Sequence, residues 1–299
     1  MRILHFSDPH FNVDLSKVPL KKWFGKRAIG GLNLLRGRYK KFERAKEKIK
    51  ALEKFKEQNC IGLTICTGDY VALGLEMEIK KAYKIIRPLT KPEDRFITLP
   101  GNHDIYLKDS LKKGSFFKYF GKFMRSDLPE FKVDKFFPFV RIFEEFVIIG
   151  INSVRPNPLP WSSNGYIPKE QLKAFEKILN DSRLKDKFIF VITHYAPRAP
   201  GGKKDKKNHA LLNAEEFLNS CKLIEKGAIL TGHIHKTFKV DLQKEGLKVP
   251  LFCAGSVTMK GREGFWVFDL EDDKLEVKKG FWKEGRFLTL DFEVINLKG

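Results

Sequence analysis

The stretch that decides the reading is Leu99-Pro100-Gly101-Asn102-His103-Asp104. The apolar run 95–99 before it reads as a buried strand, and Pro-Gly ends that strand abruptly. An amide, an imidazole and a carboxylate are thus presented at the C-terminal end of a strand, where open α/β sheets place their ligands. As an isolated tetrapeptide it would be an ordinary polar turn. Four further apolar runs end in the same way, however. Residues 3–7 lead to Asp8-Pro9-His10, 61–66 to Gly68-Asp69, 188–193 to His194, and 228–230 to Gly232-His233-Ile234-His235. Strands converging on one edge would gather carboxylates, imidazoles and an amide oxygen. Such a mixed N/O set suits Mn, Fe, Co or Zn, and the lack of thiolate argues against a structural zinc site.

The order D-x-H, G-D, G-N-H-D, H, G-H-x-H between residues 8 and 235 resembles that of the calcineurin-like metallophosphoesterase superfamily. The resemblance implies an α/β fold, a four-layer α/β/β/α sandwich with helical insertions. It also implies two divalent metal ions, Mn favoured over Fe or Zn. Asp8, His10 and His235 would hold one, Asn102, His194 and His233 the other, and Asp69 would bridge them. By the same resemblance His103 faces the substrate and Asp104 fixes its orientation. Histidine titrates nearest neutral pH and suits protonation of an alkoxide leaving group.

The chain of 299 residues is long enough for one large α/β domain. Because the five blocks must meet in one place, a single domain over 1–299 is expected, with insertions at about 16–42 and 108–135. Cys60, Cys66, Cys221 and Cys253 form no C-x-x-C pair and read as reduced core residues. No apolar run approaches the ~20 residues that span a bilayer, and the chain enters a strand at once, so a cytoplasmic protein is expected. The net charge of +20 attracts polyanions, anionic membrane surfaces and phosphorylated substrates.

Much of that charge is local: residues 17–50 hold 13 Lys and Arg against 2 Glu, a net of +11. Leu20, Trp23, Phe24, Ala28, Ile29, Leu32, Leu35, Tyr39 and Phe42 recur there at helical steps, with basic residues mostly on other faces. Two readings stay open: an apolar face that covers the core, or an interfacial helix on anionic lipid. A second segment carries Phe116, Phe117, Phe120, Phe123 and Met124 as one stripe with a basic edge. Such a stripe is more often core, but its place just beyond the Asn102-His103-Asp104 loop makes it a candidate cap over the metals. Trp23, Phe24 and Phe117 are therefore candidate substrate contacts. The basic loop 196–209 follows His194, and its Lys203 and Lys204 either contact substrate phosphate or are simply solvated. His5 reads as structural, and His209, at the end of the basic loop, as solvent-exposed in preference to a substrate contact. The tail 237–296 reads as short strands completing a second sheet.

The two insertions resemble those of UDP-diacylglucosamine pyrophosphatases of lipid A synthesis, in the branch that keeps G-N-H-D. The expected function is hydrolysis of a phosphodiester or pyrophosphate bond in an amphiphilic, lipid-linked substrate at the inner face of the cell membrane. The alternative is a soluble phosphodiesterase for cyclic nucleotides or small diesters. Nucleic acid is not an expected partner, since its grooves use aromatics as isolated stacking platforms rather than interleaved Phe. No obligate protein partner is inferred.

Overall fold

The computed structural model describes residues 1–271 and 274–297. Its strands are apolar throughout where both faces are covered, and they alternate where one face meets solvent. In one sheet β1 (Arg2–Phe6), β2 (Leu63–Cys66) and β3 (Phe96–Thr98) run parallel. In the other, β4 (Phe139–Ile142) pairs antiparallel with β5 (Phe146–Gly150), which runs parallel to β6 (Phe188–Ile192) and β7 (Gly227–Thr231).

The tail does not complete a second sheet alone, as its alternation suggested. β8 (Phe238–Val240) and β9 (Leu251–Cys253) extend the second sheet, giving the order β4-β5-β6-β7-β9-β8. By contrast β10 (Gly264–Glu271), β11 (Lys274–Lys283) and β12 (Arg286–Asn296) return to the first, in the order β12-β11-β10-β1-β2-β3. Trp266 explains the split. Its ring is fully buried between the sheets, 5.1 Å from Phe252 on β9, and its Nε1 donates to the Cys253 carbonyl at 2.8 Å. With Phe268 against Phe190 and Phe252, it fastens β10 beside β1 across the sandwich core.

The helices, in chain order, are α1 (Lys26–Asn33), α2 (Tyr39–Lys41), α3 (Ala45–Gln58), α4 (Glu76–Ile86), α5 (Lys108–Lys113), α6 (Ser115–Phe120), α7 (Lys169–Leu179) and α8 (Ala214–Cys221). α3 lies on the outer face of the first sheet, with Phe55 against Phe265, and α7 meets α8 through Phe175 and Phe217. Two mixed sheets with helices outside them make up the expected α/β sandwich.

The Phe-rich segment is not a cap. Phe116, Phe120, Phe123 and Met124 are buried, and Phe120 stacks 4.4 Å from Tyr70 and meets Tyr83 edge-on. Phe117 turns away from the strand ends and stacks on Phe136 at 4.5 Å. α5 and α6 are too short to show a long helical face, so tertiary burial decides where the stripe goes. The basic segment is mixed. Trp23 is held inside it, its Nε1 donating to Val18, with its ring where a Cβ on Gly31 would have to be. Phe24 stands 74% exposed, with Leu20 and Leu35 also outward. Lys26 and Arg27 are buried and pin α1 to the fold. Lys26 donates to the Asn157 and Ser162 carbonyls, and Arg27 forks onto Asp109.

Because Phe120 is fully buried among rings, Phe120→Ala should destabilise the fold by about 3–5 kcal/mol. Urea denaturation measures this, and a loss near zero would return the stripe to the surface.

Candidate active site

The parallel strands β1, β2, β3, β6 and β7 all deliver their C-terminal ends to one place. Close approach of the loops there requires glycine. A Cβ on Gly101 would lie 2.1 Å from Asp69 Oδ1, and one on Gly232 would lie 2.0 Å from Ser7 Oγ. Asp8, His10, Asp69, His233 and His235 all adopt positive φ. Left-handed backbone at non-glycine residues is strained and is held only where surrounding structure over-determines it.

The predicted ligands converge in two groups. In the first, His10 Nε2 lies 3.0 Å from His235 Nε2, and Asp8 Oδ1 lies 3.1 Å from His235 Nε2. In the second, Asn102 Oδ1 lies 3.0 Å from both His194 Nε2 and His233 Nδ1. Asp69 Oδ2 sits between them, 3.5 Å from His10 Nε2 and 3.5 Å from His194 Nε2. Asp8, His10, Asp69 and His235 thus offer ligand atoms within 4.8 Å of one another.

The contacts of Asn102 Oδ1 are not hydrogen bonds in the ordinary sense. His10 Nδ1 donates to the Val71 carbonyl, His194 Nδ1 to Thr67 and His233 Nε2 to His209. Burial lowers the pKa of all three rings, helped at His10 by His235 and at His233 by His209. Each neutral ring therefore turns a lone pair, not an N–H, toward the cluster. Asn102 Oδ1 faces two such lone pairs, and Asp8 Oδ1 is buried without a hydrogen-bond partner. Acceptors facing acceptors in a buried pocket call for cations, so these residues fit a pair of metal ions.

His103 borders the site as expected, but Asp104 does not orient it. His103 Nδ1 donates to the Ala72 carbonyl at 2.7 Å. Asp104 instead accepts from the Gly101, Asp69 and Tyr70 amides, which fixes the loop carrying Asp69. A carboxylate one residue along the chain is drawn to those nearby buried N–H groups before it can reach the imidazole.

A cavity of about 350 Å³ opens over the cluster, lined by Arg38, Lys41, Phe42, His103, Ser163, His209 and Met259 among others. Of the proposed substrate contacts, Trp23, Phe24, Phe117, Lys203 and Lys204 are absent from this lining. Lys204 is drawn outward to Glu215 at 2.7 Å, and Lys203 is exposed. Three lining residues were not among the candidate site residues. Phe42 packs on His10 with ring centroids 5.0 Å apart. His209, read as solvent-exposed, stacks on His233 at 3.9 Å with its Nδ1 on Asp205. Arg38 places Nη2 3.2 Å from His103 Nε2. Spacing puts Phe42 on the apolar stripe of the basic segment without placing it at the site, and Arg38 and His209 likewise reach the site only in the folded chain.

His5 is the structural histidine expected. It is fully buried against Thr67 Oγ1, away from the cavity lining.

The paired donor groups at the strand ends and the two-sheet scaffold place the protein among phosphoester hydrolases. The chain belongs to the calcineurin-like phosphoesterase family, whose model matches residues 1–237. No functionally curated protein matches it. Among solved structures, a dimetal phosphatase from Danio rerio is similar with a TM-score of 0.63 at 14% identity, over 98% of this chain and 99% of that one. The purple acid phosphatase PPD1 from yellow lupin (Lupinus luteus) is similar with a TM-score of 0.56 at 12% identity, over 93% of this chain and 51% of that one. At such identities the likeness is one of fold.

Burial holds the His5 imidazole at about 3, below its ordinary 6.5. The unfolded chain binds that proton first, so stability is full above pH 6.5 and falls as the pH drops from 6.5 toward 3. His5→Gln should make the acid limb of unfolding free energy against pH shallower by about 1.4 kcal/mol per pH unit. Urea denaturation at a series of pH values tests it, and an unchanged slope would contradict a buried neutral ring.

Proposed function

We propose that the protein is a binuclear-metal-dependent hydrolase of phosphodiester or pyrophosphate bonds. The observation that carries the reading is the placement of Asp69 Oδ2 midway between His10 Nε2 and His194 Nε2, 3.5 Å from each. Asp8, His10 and His235 would hold one cation, Asn102, His194 and His233 the other, with Asp69 shared. Bound divalent ions supply neutralisation of phosphoryl oxygens and acidification of the attacking water. Mn²⁺ is the ion to load first, with Fe²⁺ and Zn²⁺ also suited to these donors.

The protein's own part is positioning. Carbonyls of Val71, Thr67 and His209 fix the ring tautomers, so that no ligand must rotate to bind. His103, steadied by Ala72, presents Nε2 to the cavity, where the ring, once protonated there, would meet the phosphoryl group or its leaving oxygen. Phe42 and Met259 give the cavity an apolar wall beside its basic one.

The substrate we infer is amphiphilic. On the segment beside the cavity, Leu20, Phe24 and Leu35 are largely exposed, with Ile29, Leu32 and Tyr39 partly so. Arg36, Lys40 and Lys41 stand among them, a pattern suited to an anionic lipid surface. Residues 16–42 and 108–135 are read as insertions into one domain, but only the first is offered as a lipid-facing element. No helix among the described residues is long and apolar enough to cross a membrane, so docking would be peripheral.

Asp69→Ala should abolish turnover of a nitrophenyl phosphodiester and lower bound Mn²⁺ below two per chain, read by elemental analysis. Fully active wild-type protein holding at most one ion would overturn the dimetal reading. Independently, replacing Leu20, Phe24 and Leu35 together by Ser should weaken binding to anionic vesicles at least hundredfold. Each large apolar side chain withdrawn from water contributes about 1.5–3 kcal/mol. The soluble diester should turn over at the wild-type rate. Unchanged vesicle binding would favour the soluble phosphodiesterase instead.

A further inference from the structure

We propose that Arg38 is a phosphoryl-oxygen ligand of this active site, which makes the basic segment 15–41 part of the catalytic apparatus. The proposal rests on the phosphoesterase reading above and extends it to a residue outside the five ligand blocks.

The turn Leu34–Arg38, wider than an α-helical one, separates α1 from α2, and within it Gly37 has φ +117°. A Cβ on Gly37 would meet nothing within 4 Å, so backbone conformation and not space requires glycine there. The turn directs Arg38 into the cavity while its neighbours Arg36 and Lys40 stay exposed.

What Arg38 finds there is incomplete. His103 Nε2 is an acceptor, because Nδ1 carries the proton donated to Ala72, and Arg38 Nη2 lies 3.2 Å from it. That is one bond for a group with five N–H donors. Among the described residues no carboxylate lies within ion-pair distance of Arg38. The fully buried guanidiniums contrast with it, and Arg141 among them has Asp127 at 3.5 Å. Arg27 forks onto Asp109, and Arg198 pairs with Glu215 and Glu245. A mostly buried guanidinium without an anion is costly, and the planar fork matches two oxygens of a phosphoryl group. The anion that completes Arg38 would lie in the cavity over Asp69, Asn102 and His103.

The test uses Mn²⁺-loaded protein, calorimetric titration with inorganic phosphate, and turnover of bis(4-nitrophenyl) phosphate. Arg38→Gln should bind phosphate at least tenfold more weakly and lose roughly 10²–10³ in kcat/KM, the range seen when one charge-stabilising donor is removed. Arg38→Lys should fall between it and wild type. Lys46→Gln, which removes one positive charge from the exposed side of α3, should match wild type, and bound Mn²⁺ should be the same throughout. Wild-type phosphate affinity and turnover in Arg38→Gln would overturn the proposal. If Arg38→Gln fails to fold, Arg38→Lys decides by the same criteria. If wild-type protein turns over no phosphoester, the reading of the function fails. The phosphate titration still decides for Arg38.

Discussion

Much of this molecule depends on a set of buried lone pairs that point at one another. Asn102 Oδ1 faces the lone pairs of His194 Nε2 and His233 Nδ1, each at 3.0 Å. Without cations such an arrangement is repulsive and desolvated, so it cannot be what holds its loops together. The surroundings must hold it. Asp104 gathers three backbone amides, Ser256 and Thr258 donate to the Asp8 and Pro9 carbonyls, and three carbonyls lock three histidine tautomers. Five ligand residues adopt left-handed backbone, and the tightly packed aromatic core between the sheets offsets that strain.

The same constraint explains why the basic segment divides its charges. Lys22 and Arg27 are spent on Asp109, and Lys26 on two carbonyls. These anchors, with the small cluster of Val13, Val18, Leu34, Leu73 and Tyr106, fix the inner face of the segment. Only with the inner face fixed can the turn at Gly37 set Arg38 at a defined distance from His103. The outer face, with Leu20, Phe24 and Leu35, is left to solvent or a surface. One stretch therefore covers the core on one side and leaves exposed apolar side chains on the other.

What was legible in the sequence follows the range of the interactions. The five ligand blocks were readable because each ligand follows its own strand within a few residues, and the glycines beside them record close approach. Asp104 is bound by three amides and is not the partner of His103, because proximity in sequence does not say which buried amides compete for a carboxylate. The stripe Phe116–Phe120–Phe123 has the same spacing whether it faces core or solvent, and only Tyr70, Tyr83 and Phe96 waiting for it decide. The return of β10 to the first sheet depends on Trp266 meeting Cys253 and Phe252, a pairing that alternation cannot express. Arg38 was one cation among 13 in a run, and nothing local separates it from Arg36.

Charge gives the site its remaining logic. In the proposed occupancy, the carboxylates of Asp8 and Asp69 neutralise only half of the charge of two divalent ions, and neutral rings and an amide supply the other ligands. Arg38 and Lys41 add to the positive side of the same cavity. A site of that sign holds an incoming phosphoryl anion but stabilises more strongly the added charge that develops as a nucleophile attacks it, which is the difference that accelerates a reaction. A carboxylate beside Arg38 would cancel that difference. The acids near the cavity are instead committed: Asp109 to Arg27 and Lys22, Glu78 to the amides of Ala72, Leu73 and Leu75, and Asp205 to His209. The guanidinium is left with an imidazole for a partner because its anion is to come from the substrate.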